Sequence, residues 1–178
     1  MASAALKVSV EEFLALPEID GIKRELVDGE IWGEPLAHAH QSHEVLKGRI
    51  LQSLAHFAGR PARFLVLSES TFQFRKEELL TPDVCVLIEA RPDVRSQGFL
   101  TCVPEIVVEV VSSESAGRLH HKVNTYRAMG VKEIWIVLPQ EAEVLVYTST
   151  AITDLRQKDT LTSPLLPNFS FPLEELFS

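Results

Sequence analysis

The chain has 178 residues, 46% of them hydrophobic, and a formal net charge of −8 at pH 7. That length suits a single domain, residues 1–178, with a sizeable core, and the acidic balance excludes bulk electrostatic attraction to nucleic acid but not a local basic track or an acidic, metal-using site. No stretch is long and apolar enough to span a membrane, and the start, MASAALKVSVEEF, lacks a secretory h-region, so a cytoplasmic protein is expected.

Ser9 and Glu12 stand at capping-box spacing, and Pro17 closes the short helix predicted between them. KRELVDGEIWG follows, with Asp28-Gly29 between apolar runs, a strong hairpin signal. Leu46, Ile50 and Leu54 recur along a helix expected from about Ala39 to Phe57, with Val45 and Leu51 beside them. RFLVLSES, TFQF, DVCVLIEA and EIVVEVVS read as strands, HHKVNTYRAMG as a helix stopped by Gly130, and KEIWIVLP and AEVLVYTS as further strands. A weaker strand is expected near Ile152 and a last helical turn in PLEELF. The order predicts an α/β (α+β) architecture, a mixed central sheet with helices packed on it.

Glu109 sits inside IVVEVV, a run that reads as a strand buried on both faces. Ionised burial there costs several kcal/mol, against a gain of about 1.5–3 kcal/mol for burying a neighbouring valine. Glu109 is therefore expected to be neutral, to lie at an exposed strand end, or to have a cationic partner. Asp83, in PDV, stands at the entrance of the strand VCVLI, whereas Asp93, in the second PDV, leads into a polar loop. Asp83 and Glu109 lie on successive strands, which tend to be neighbours. Presented on one side, the two carboxylates suit a shared Mg²⁺ or Mn²⁺, with the Val110 carbonyl as a further ligand. The competing reading is a solvated or salt-bridged Glu109. Lys122 lies one turn before Tyr126 on the following helix, where it could meet charge developing on a phosphate or remain a solvated surface lysine.

RELVDGEI, HEVLKGRIL, TPDVCVL, PEIVVEVVS and HKVNTYRAMGVKEIWIVLP occur in this order from about Arg24 to Tyr147. This pattern resembles the Uma-type branch of the restriction-endonuclease-like PD-(D/E)XK superfamily. The resemblance implies a restriction-endonuclease-like mixed sheet flanked by helices, and metal-dependent hydrolysis of nucleic-acid phosphodiesters, DNA first among them. It makes Asp83 the acid of PD and Glu109 the acid of (D/E)XK, both ligands of Mg²⁺ or Mn²⁺. Glu25 matches the upstream acid, able to hold metal directly or through water. Lys122 takes over the lysine function, since Val111 stands at the motif's lysine position. His43 matches a histidine at the site's edge. The chain departs from the family pattern at Ser113, at Arg118, which stands at an aspartate position, and at Leu138 of WIVLP. Pairing of two copies as a homodimer fits an enzyme that cuts two strands. The alternative is a non-catalytic interaction module that keeps the fold and a vestigial site.

The remaining signals are bland. His38, His40 and His43, like His120 and His121, lack accompanying cysteines and the HExxH spacing of a zinc protease. Trp32 and Trp135 read as packing residues, and Cys85 and Cys102 as reduced, small apolar ones. Phosphate-binding glycine loops and a GxSxG elbow are absent.

Overall fold

The computed structural model describes residues 7–20, 22–35, 41–59, 63–93, 95, 98–112 and 115–178. Helix α1 (Val10–Leu14) leads to the hairpin of β1 (Ile22–Val27) and β2 (Glu30–Pro35) and then to α2 (Gln41–Ala58). Four short strands follow: β3 (Leu65–Ser68), β4 (Phe72–Arg75), β5 (Glu78–Leu80) and β6 (Val84–Leu87). β7 (Ile106–Val110), α3 (Ala116–Ala128) and β8 (Glu133–Leu138) make the next unit. β9 (Glu143–Tyr147), β10 (Ile152–Arg156), β11 (Thr160–Thr162), β12 (Ser170–Pro172) and α4 (Leu173–Leu176) complete the chain.

Among the described residues the strands form a six-stranded sheet in the order β10-β9-β8-β7-β6-β3, a four-stranded sheet β2-β1-β5-β4, and the pair β11-β12. The large sheet is mixed: β7 and β8 run parallel, joined through α3, and its other pairs are antiparallel. The mixed central sheet flanked by helices is thus present. A second sheet, not foreseen in the sequence, stands beside it.

Local chemistry accounts for the elements. The capping box of α1 is formed, with Ser9 Oγ accepting from the Glu12 amide at 3.1 Å and Glu12 Oε2 from the Ser9 amide at 2.8 Å. Asp28 and Gly29 take left-handed φ values of 50° and 81°, as a primed hairpin turn requires. Helix α2, described from Gln41 because Ala39 and His40 lie outside the described residues, buries Leu46, Ile50 and Leu54, but Val45 is 47% exposed and lies off the packing face. Helix α3 begins at Ala116, earlier than HHKVN suggested, because Ser115 caps it by accepting from the Arg118 amide.

β7 shows why its run is unbroken. Ile106, Val108 and Val110 pack with α2 and α4 on one face of the sheet, and Val107 packs with Val123 and Tyr126 of α3 on the other. Both faces are covered, so every position demands an apolar side chain, except where a polar partner waits. Trp135 is fully buried in the first of these cores. Cys85 is buried and Cys102 half-buried, both as free thiols. No helix among the described residues is long and apolar enough to cross a membrane.

Candidate active site

The tripeptide Thr81-Pro82-Asp83 carries the chain from β5 of the smaller sheet into β6 of the larger. It ties the two together. The Thr81 amide donates to Glu25 Oε1 of β1 at 2.8 Å, and Asp83 Oδ2 accepts the Val110 amide of β7 at 2.7 Å. The antiparallel register Val84↔Val108 sets Asp83 beside Glu109. Glu25, Asp83 and Glu109 are 5%, 4% and 4% exposed, so none lies at an exposed strand end.

Each acid has a cation. Lys122 Nζ lies 3.1 Å from Glu25 Oε2 and 3.6 Å from Glu109 Oε2, while Lys23 Nζ lies 3.3 Å from Asp83 Oδ1. Lys122 is itself only 3% exposed and is not a solvated helix lysine. Tyr126, one turn further along α3, donates its hydroxyl to Glu109 Oε1 at 2.5 Å. His43 Nε2 reaches Asp83 Oδ2 at 3.2 Å from the first turn of α2. It also borders an open cavity of about 150 Å³ lined by Ser42, Val111, Ser112, Pro139 and Gln140.

The sequence-predicted residues Glu25, Asp83, Glu109 and Lys122 therefore converge, with His43 at their edge. Val110 joins them through its amide, as the donor to Asp83. Lys23 was missed. Its signal lay in the two-residue period of a strand, which puts Lys23 and Glu25 on one face of β1. Tyr126 was seen as a neighbour of Lys122 but not as a ligand of Glu109.

Burial and charge pull the acids apart. Burial pushes the Glu109 carboxyl up to about 8, with Lys122 opposing the shift and the Asp83 charge adding to it. Asp83 goes the other way: burial would raise it, but His43, Lys23 and the Val110 amide together hold it well below the usual carboxylate range. Burial alone would depress Lys23, yet the facing carboxylates of Asp83, Glu109 and Glu25 keep its pKa raised. His43 is likewise raised, its burial outweighed by Asp83 and Glu44. One carboxyl held toward the neutral form beside one held ionised is an arrangement suited to proton and metal chemistry.

Other buried carboxylates have local structural partners. Glu105 accepts the amides of Ile88 and Glu89, and Glu133 accepts from Trp135 Nε1 and Ser163 Oγ. Glu78 takes His121 Nε2 at 2.7 Å and Thr125 Oγ1 at 2.8 Å, fastening α3 to β5. His121 thus faces the Glu78 carboxylate, and His120 lies beside Asn124; His38 and His40 fall outside the described residues. Asp93 is exposed, accepting the Arg95 amide as a turn residue.

Among the described residues, no three His, Cys, Asp or Glu side chains stand close enough together to hold a metal ion as they are. The donor chemistry nevertheless suits a hard divalent cation, and two ammonium groups already neutralise the acid oxygens there.

The family model described as "Putative restriction endonuclease", Uma2, matches residues 10–174. The chain belongs to the Uma2 family. Its fold is similar to that of a solved structure, a "putative nuclease belonging to DUF820" from Anabaena variabilis ATCC 29413. The two share 18% sequence identity with a TM-score of 0.80, over 96% of this chain and 97% of that one. No curated protein matches. For this Uma2 chain the matched region contains every residue of the acid centre, from Lys23 to Tyr126.

Proposed function

We propose that the chain is a metal-dependent nuclease that hydrolyses phosphodiester bonds, with DNA as its substrate. The observation that carries this reading is the meeting of Asp83 and Glu109, from adjacent strands, with Glu25 and a buried Lys122. Such a cluster has little value as a stabilising device, because buried ion pairs rarely repay their desolvation. Its cost is understandable where charge must be handled.

In this reading Glu25, Asp83 and Glu109, with the Val110 carbonyl, hold Mg²⁺ or Mn²⁺. The bound ion supplies Lewis acidity toward water and phosphate. Lys122 offsets charge that develops on the phosphate, from a rigid helix and with little water around it. His43 and the Val110 amide fix Asp83, and Tyr126 fixes Glu109. Because ammonium groups now neutralise the acids, cation entry requires Lys23 and Lys122 to draw back.

That same neutralisation favours a second reading, a non-catalytic interaction module whose lysines replace the metal for good. Nicking of a supercoiled plasmid separates the two. The nuclease reading expects cleavage with Mg²⁺ or Mn²⁺, none in EDTA, and none from Asp83→Asn in the same metal. Wild-type protein that leaves the plasmid intact in both metals would establish the module instead.

A further inference from the structure

Three residues of α3 share one face at one-turn spacing, and their exposure rises outward. Tyr126 is fully buried on Glu109, Lys122 is 3% exposed between Glu25 and Glu109, and Arg118 is half-buried beyond them. Four residues of helix advance about 6 Å, on the scale of the step between successive phosphates of one strand.

β2 shows the matching order. Trp32 is the cross-strand partner of Glu25, so its indole stands on the same sheet face, next to the acid centre. Arg118 Cζ lies over the Trp32 ring, 5.1 Å from its centroid, and Arg118 Nη1 donates to the Gly33 carbonyl at 3.2 Å. His121 meets the same indole edge-on, with ring centroids 5.2 Å apart. The ring is thus braced from α3 while it supports the guanidinium. Trp32 is therefore more than a packing residue.

We propose that Arg118 binds the phosphate next to the scissile one as a nucleic-acid strand crosses the site, with Trp32 as the residue that positions its guanidinium. The inference rests on the nuclease reading in taking a nucleic-acid strand as the ligand at the acid centre. A planar guanidinium presents a fork of donors that matches phosphate oxygens, and holding it flat in advance reduces the entropy lost on binding. Its placement answers the chain's overall acidity: a local cation one turn from Lys122 draws the strand that a net charge of −8 would repel.

The test is fluorescence anisotropy of a short labelled DNA, as duplex and as single strand, in Ca²⁺ across about 50–200 mM salt. Arg118→Ala is expected to weaken binding roughly tenfold at the lowest salt and to lower the slope of log K against log salt by about one. Arg118→Lys should restore the slope but not the full affinity. Trp32→Ala should lose part of the affinity, and Trp32→Phe should recover it, which loss of packing alone would not require. Thermal melts confirm that each variant folds. Wild-type affinity and slope in Arg118→Ala would overturn the inference, as would a wild-type chain that binds neither DNA. Plasmid cleavage, scored separately, tests the nuclease reading: binding that depends on Arg118 without cleavage sinks that reading alone.

Discussion

Tyr126 donates its hydroxyl to Glu109 Oε1 at 2.5 Å, joining the last turn of α3 to the C-terminal end of β7. The contact holds in place a carboxyl that burial drives toward its neutral form. Tyr126→Phe removes the donor without opening a cavity. The expected loss is about 1–2 kcal/mol in urea unfolding, the scale of leaving one buried acceptor without its donor. An unchanged midpoint would mean that the hydroxyl contributes nothing to the fold.

The same burial makes stability depend on pH. Unfolded, the Glu109 carboxyl titrates near its ordinary 4.5; folded, it titrates at about 8. The folded chain binds this proton more tightly, so the stability it contributes is complete below the lower value and is lost as pH rises through the upper one. Glu109→Gln carries no such proton. In EDTA its melting temperature should exceed the wild type's by a margin that grows from about pH 5 to about pH 8.5, corresponding to roughly 1–4 kcal/mol at the alkaline end. A margin that stayed level from about pH 5 to about pH 8.5 would show Glu109 to be ionised throughout.

Lys122 answers two acids at once, 3.1 Å from Glu25 and 3.6 Å from Glu109. Replacing it by methionine keeps most of the volume but leaves Glu25 facing Glu109 with their cation gone. Breaking a buried ionic cluster on one side costs about 3–5 kcal/mol, so Lys122→Met should melt well below the wild type in EDTA. Mn²⁺ should restore part of that loss, since a divalent ion can replace the missing charge. Plasmid cleavage in Mg²⁺ should nevertheless fall by roughly two to three orders of magnitude, the scale of removing one preorganised charge-stabilising group. Cleavage at the wild-type rate would remove Lys122 from the chemistry.

How much of this was legible in the sequence depended on distance along the chain. PDV before VCVLI and Glu109 inside IVVEVV announced two acids, because a carboxylate among β-branched residues conflicts with its surroundings and needs a reason. Val45 misled, since its neighbours Leu46, Ile50 and Leu54 already fill the buried stripe of α2. The second sheet was hidden because β5, which joins the β1–β2 hairpin to β4, has three residues, too few to display a period. The Glu78–His121 and Trp32–Arg118 contacts span many residues and leave no local trace. Arg118 read as a departure from the family's aspartate; only the fold shows it above Lys122 and against an indole.

Lys23 went unnoticed for a related reason: one lysine before an arginine in a short strand looks like any solvated edge. Its ammonium instead lies 3.3 Å from Asp83 Oδ1, with the side chain 19% exposed. It is the more accessible of the two lysines that neutralise the acids, and so the one a cation entering from solvent meets first. Lys23→Met leaves Asp83 with His43 and the Val110 amide, enough to keep the carboxylate in place. Without metal the variant should lose stability, by about 1–3 kcal/mol, because one buried charge has lost its counter-ion. With metal the balance reverses, since Mn²⁺ no longer has to displace an ammonium from Asp83. Calorimetric titration should then show Mn²⁺ binding several-fold tighter than wild type, and Asp83→Asn should abolish it in both backgrounds. Weaker binding in Lys23→Met would mean that Lys23 organises the acids for the cation rather than competing with it.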